Sequence, residues 1–156
     1  MHNDPPSEAP SDRAWAIFFA RWVLGLIFFM AGVFKVFDLG PVGHARSLFV
    51  DPYADSFLPT WSLWATGTVV PVLELCAGGL LLIGFRTRTA LLTLGGVIVL
   101  VTFGHLLAEP LFQFHTHVIP RLGLLLFLLW TPSSEDRLSL DGWLDRRRRG
   151  HGAETA

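Results

Sequence analysis

Cysteine is nearly absent from this chain: Cys76 stands alone among 156 residues. One thiol excludes an internal disulfide, a CxxC dithiol and a four-cysteine zinc site. Charge is scarce too, at 16% of residues, against roughly 25% in an ordinary soluble domain. What charge there is nearly cancels, to a formal −1, so nothing draws the chain to nucleic acid and no such partner is expected. Alternating segments of the barrel type are also lacking. The apolar stretches are continuous and about twice too long for tilted barrel strands.

What is present is apolar. Hydrophobic residues make up 51% of the chain, with 13 Phe and six Trp, and the mean hydropathy is +0.48. This is the composition of an integral membrane protein. Four runs carry it, over about residues 14–37, 63–84, 89–108 and 114–130. At about 1.5 Å per residue the first covers about 36 Å, enough to cross with some tilt. Its length and the acidic stretch before it argue against a cleaved signal peptide. Short connections make consecutive helices antiparallel neighbours, so the expected fold is all-α, an integral membrane antiparallel four-helix bundle. Residues 1–13, rich in Pro and acid, are expected to be a disordered tail, and residues 133–156 a basic one. Residues 38–60, polar and holding Gly40, Pro41, Pro52 and Pro59, are expected to be an outer loop, and with four crossings the tails share a side with the Arg86–Arg88 turn. Arg13, Arg86, Arg88, Arg137 and residues 146–149 lie there, against Lys35 and Arg46 on the other side. The positive-inside rule then puts both termini in the cytoplasm.

The chemistry is expected where charge enters the spans. A central charge costs about 2.5–3.5 kcal/mol on insertion scales, so it needs water or a partner. Arg21, Gly25, Phe28, Gly32 and Lys35 form one helical stripe, and Gly67, Pro71, Glu74 and Gly78 form another. His105 on the third run, and His117 with Arg121 on the fourth, share faces of the same kind. Small residues permit close helix approach, so these faces should turn inward. The expected site is a polar cavity of Glu74, His105, His117 and Arg121, with Lys35 at its rim and Arg21 below. Glu74 would accept hydrogen bonds from Arg121 or Arg21, or else stay protonated.

Plainer readings stand beside this one. Intramembrane charge pairs can simply fix helix register. His115 and His117, spaced i, i+2, splay apart on a helix, so with His105 they are weak metal candidates and no metal is expected. A bis-His haem between His105 and His117 is not expected either. Cys76 faces away from Glu74 and reads as inert. The arginine run at 146–149 reads as a solvated tail against anionic lipid.

Taken in order, several motifs point to a family. Arg21-x2-Leu24-Gly25-x2-Phe28-x2-Ala31-Gly32-x2-Lys35-x2-Asp38 resembles the first helix of the DoxX family. Pro71-x2-Glu74-x3-Gly78, Gly84 and Arg86-Thr87-Arg88 resemble its second helix and following turn. His105 falls where a polar third-helix residue is frequent, Arg121 resembles the basic residue of the last helix, and Arg137-Leu138-Ser139-Leu140-Asp141 resembles the closing Ser-Leu-Asp. The resemblance implies a bacterial inner-membrane subunit of an oxidoreductase system, linked to quinone or to small sulfur compounds. Quinone carbonyls need donors and a proton source, which Arg121, His105, His117 and Glu74 could supply. With no intrinsic cofactor expected, any quinone-linked oxidoreductase activity would depend on a bound quinone or a protein partner. The alternative is a non-catalytic anchoring or assembly subunit of a larger membrane complex.

Overall fold

The computed structural model describes residues 10–109 and 114–154, and helices with no strand account for these residues. Residues 1–9 of the expected disordered tail lie outside them. The first helix, α1, runs Asp12–Val33, two residues earlier than the apolar run suggests. Ser11 explains the early start. Its side-chain oxygen accepts from the Ala14 N–H at 3.3 Å, and Asp12 adds a negative charge to the first turn. A π-helical turn, Phe34–Asp38, extends α1 to the Gly40–Pro41 break. The stretch read as an outer loop then folds into a short α2, Pro41–Ala45, and a π-helical turn, Arg46–Val50. The long helices α3 (Thr60–Ile83) and α4 (Thr87–Ala108) follow, joined by three residues. After α5 (Phe114–Trp130) comes a 3-10 turn, Ser133–Glu135, and α6, Leu140–Glu154. The basic tail is therefore largely helical.

Three helices, α1, α3 and α4, are long and apolar enough to cross a membrane, and α5 is a shorter apolar helix. Four crossings were expected. At about 1.5 Å per residue, 17 residues span about 26 Å, below the roughly 30 Å of hydrocarbon. The chain is an all-α protein of membrane type.

The most extensive contact joins α1 to α3, and the two are antiparallel. A Cβ on Gly32 would sit 2.5 Å from the Leu75 nitrogen, and one on Gly78 2.5 Å from the Phe29 nitrogen. The backbones touch there, as small residues allow. Around this crossing lies one core: Leu24 and Phe28 of α1, Val70 and Leu81 of α3, Leu94 and Val97 of α4, Leu125 and Leu128 of α5. The outward faces are strongly apolar, with Phe19, Met30, Ile83, Leu92 and Val99 all more than half exposed, as lipid contact requires.

Candidate functional site

Glu74 is buried, one helical turn beyond Pro71, and its carboxylate lies 2.6 Å from the Lys35 ammonium. This partner differs from the two expected from sequence, Arg121 and Arg21. Lys35 lies one turn beyond Gly32 on the stripe that meets α3 at Leu75, so at plain helical spacing the rim lysine reaches the buried acid.

Pro71 organises the other side of this pair. A proline inside a helix has no N–H for the carbonyl four residues back, which here belongs to Gly67. That carbonyl is taken by His44, whose Nδ1 lies 2.7 Å away. A carbonyl only accepts, so Nδ1 carries the proton and Nε2 is left as the acceptor. His44 comes from α2, held tightly against α3: a Cβ on Gly67 would lie 2.5 Å from Ala45 Cα. Burial, with Lys35 adding to it, pushes the His44 imidazole below its ordinary value, against the Gly67 hydrogen bond and Glu74. It is therefore neutral near pH 7.

Lys35 and His44 share a cavity of about 160 Å³ with His105, Tyr53, Phe49 and Val101. Tyr53 donates its hydroxyl to the Gly104 carbonyl at 2.8 Å, tying the connecting segment to α4. Beyond Phe49, Tyr53 and Gly104 lies a second, apolar pocket of about 180 Å³, with Leu58, Leu63, Leu100 and Phe103 on its wall. His117 and Glu109 are near enough to act electrostatically on His105, and both histidines are exposed. Among the described residues no three His, Cys, Asp or Glu side chains gather as a metal cluster.

Of the expected members only Lys35 and His105 line this cavity; Glu74 meets it through Lys35, His117 is not on its wall, and Arg121 and Arg21 lie elsewhere. Arg121 is half-buried, its guanidinium 5.9 Å from the centre of the Phe28 ring. Arg21, almost wholly buried, sits at the opposite end of the α1–α3 pair. It donates to the carbonyls of Leu81, Leu82 (3.2 Å) and Leu138 (2.9 Å). Its Nε is 3.3 Å from Asp136, an ionic contact rather than an aligned hydrogen bond. The Leu81 and Leu82 carbonyls belong to the last turn of α3, where Leu81 otherwise has only the shared Gly84 cap N–H at 3.1 Å. Arg21 thus caps one helix from another, which explains its distance from the cavity. Burial pushes the Asp136 carboxyl above its ordinary value, opposed mainly by Arg21.

The closing segment completes this second cluster. Asp141 accepts from the Arg86 and Thr87 N–H groups, at 3.0 and 2.9 Å, and so caps α4 from a distant part of the chain. Its own N–H donates to the Gly84 carbonyl at 2.9 Å. Gly84 has φ +72°, and a Cβ there would meet Ser139 at 2.6 Å.

Sequence reasoning missed His44 and Tyr53. Pro71 held the usable signal for His44, because a mid-helix proline frees a carbonyl that a buried site must supply with a donor. Tyr53, in a stretch rich in turn residues, had no comparable signal.

The family model of the methylamine utilisation protein MauE matches residues 13–116. No curated protein and no solved structure matches the chain. The MauE match overturns the resemblance to DoxX. The quoted motifs explain how that resemblance arose: Gly25, Gly32 and Gly78 make a close helix crossing, Lys35 and Glu74 form an ion pair, and Asp141 caps a helix. Any antiparallel pair of closely packed membrane helices has use for such features. The matched span covers more than half of the chain, from the first turn of α1 into α5, and the chain belongs to the MauE family.

Proposed function

We propose that this chain is a non-catalytic membrane accessory protein of a redox system that serves methylamine utilisation. The family match supplies the setting. The observation that carries the non-catalytic part is how the buried charges are used. Lys35 neutralises Glu74, and Arg21 is committed to three carbonyls and Asp136. Both sets join elements distant in sequence, so they act as pins that fix helix register. With one cysteine, the chain also lacks an internal dithiol to carry an electron pair. In this reading α5 completes a fourth crossing, and the arginine-rich end faces the cytoplasm of a bacterial inner membrane. Deleting the gene should abolish growth on methylamine and spare growth on succinate, with rescue by the wild-type chain. Unchanged growth, or turnover of a soluble quinone by the purified chain alone, overturns the proposal.

The two-part cavity favours a second reading. A quinone headgroup would meet the Lys35 ammonium as its donor in the polar chamber, with its tail in the apolar pocket past Tyr53. A small sulfur compound would need the polar chamber alone. Calorimetric titration of the purified protein with a short-chain quinone tests this: saturable binding, weakened in Lys35→Met, is expected. No binding sinks the reading.

A further inference from the structure

The helix α6 lies beyond the family match and outside both uses of the cavity. Its beginning is fixed firmly. Asp141 is tied to the backbone of Gly84, Arg86 and Thr87, and Arg21 holds the Leu138 carbonyl. These contacts place the first turn of α6 beside the turn between α3 and α4, at one end of the apolar helices. Exposed aromatic side chains mark this end as an interface: Trp15 and Phe19 on α1, stacked at 5.9 Å, and Trp130 at the close of α5. Such amphipathic rings favour headgroup depth.

From that anchored start, α6 presents Trp143, 46% exposed, with Arg147 over its ring at 5.0 Å. Arg146 and Arg148 are exposed beside it, and Arg146 also donates to the Arg137 carbonyl at 3.0 Å. A second arginine-on-aromatic pair, Arg86 over Phe85 at 6.0 Å, occupies the α3–α4 turn at the same end. We propose that α6 is a surface strut that binds the phosphates of anionic phospholipids at this end of the molecule. The chemistry fits the depth. Arg86, stacked on Phe85, and exposed Arg148 present guanidinium N–H groups at the depth of phosphate oxygens, while the aromatic rings stay among headgroups and upper acyl chains. Clamping by Asp141 holds the arginines at that level without an apolar helix face of the usual width.

The test uses the full chain in nanodiscs of phosphatidylcholine alone or with one third phosphatidylglycerol, reading hydrogen exchange over residues 140–154. Exchange should be slower with phosphatidylglycerol by about fivefold for each arginine engaged. That protection should disappear in 0.5 M salt and in Arg86→Gln/Arg148→Gln, while α1 and α3 keep theirs. Equal exchange in the two lipids overturns the proposal, as does protection that survives the double change. Inorganic phosphate giving the same protection in phosphatidylcholine discs would show a free-anion site and overturn the lipid assignment. Protection seen only in native membranes would point to a protein on α6 and overturn it too.

Discussion

At the scale of single residues, the ion pair between Lys35 and Glu74 has the sharpest consequence. Its carboxylate is buried and its ammonium about three-quarters so. Removing one partner strands the other charge in a medium of low dielectric constant, whereas removing both leaves none. Lys35→Met and Glu74→Gln should each lower the melting temperature in detergent more than the double change does. A coupling of about 1–3 kcal/mol is expected, and simple additivity would show that the pair contributes nothing. His44 gives a second handle at this scale. Its folded pKa is depressed, chiefly by burial, so the unfolded chain takes up the proton more readily. Stability contributed by neutral His44 is present above the ordinary histidine value of about 6.5 and lost as pH falls through it. Melting measured from pH 8 down to 5.5 should therefore fall more steeply for the wild type than for His44→Asn, which keeps an N–H donor without a titrating ring. Parallel curves would mean that His44 is not held neutral.

Among elements, the α1–α3 crossing sets the geometry of everything else. A methyl group at Gly32 would fall 2.5 Å from backbone, and backbone cannot turn aside as a side chain can. Gly32→Ala should cost at least about 2 kcal/mol, while Gly96→Ala, with open space around it, should be neutral or stabilising. Equal melting temperatures for the two variants would mean that the helices do not approach so closely. This crossing was legible in the sequence because small residues at helical spacing have one main use between membrane helices. Stripes, however, give a facing direction and not a partner. Lys35 and Arg21 share one stripe of α1, yet the first pairs with Glu74 and the second caps the far end of α3. What separates them is about 21 Å of helix axis and, at the Arg21 end, the return of the chain at 136–141, which tertiary contact sets rather than local pattern. For the same reason α2 was read as loop. Five residues opened by Pro41 carry no periodicity, and only contact with Gly67 shows that they lie on α3.

For the molecule as a whole, the antiparallel helices collect opposite charges at opposite ends. The starts of α1 and α4, the end of α5 and the whole of α6 carry Arg13, Arg86, Arg88, Arg137 and Arg146 to Arg148. The same end carries fewer acids, Asp12, Glu135, Asp136, Asp141, Asp145 and Glu154, with Glu135 paired to Arg13. The other end carries Lys35 and Arg46, facing Asp38, Asp51, Asp55, Glu74 and Glu109. Arg46 lies 3.7 Å from Asp51, and Lys35 is already paired. The basic surplus therefore sits at the α6 end, and the positive-inside bias predicts a cytoplasmic side for it. A fourth crossing by α5 is needed for the two tails to meet there, so one labelling experiment tests span count and orientation together. In a Cys76→Ser background, single cysteines at Ser56 and Ser134 report on the two ends. An impermeant maleimide on intact cells should label position 56 and leave position 134 untouched until the membrane is opened. Labelling at 134 alone would invert the orientation. Labelling at both would leave an even number of crossings between them, putting the acidic and basic ends on one side and removing α5 from the membrane.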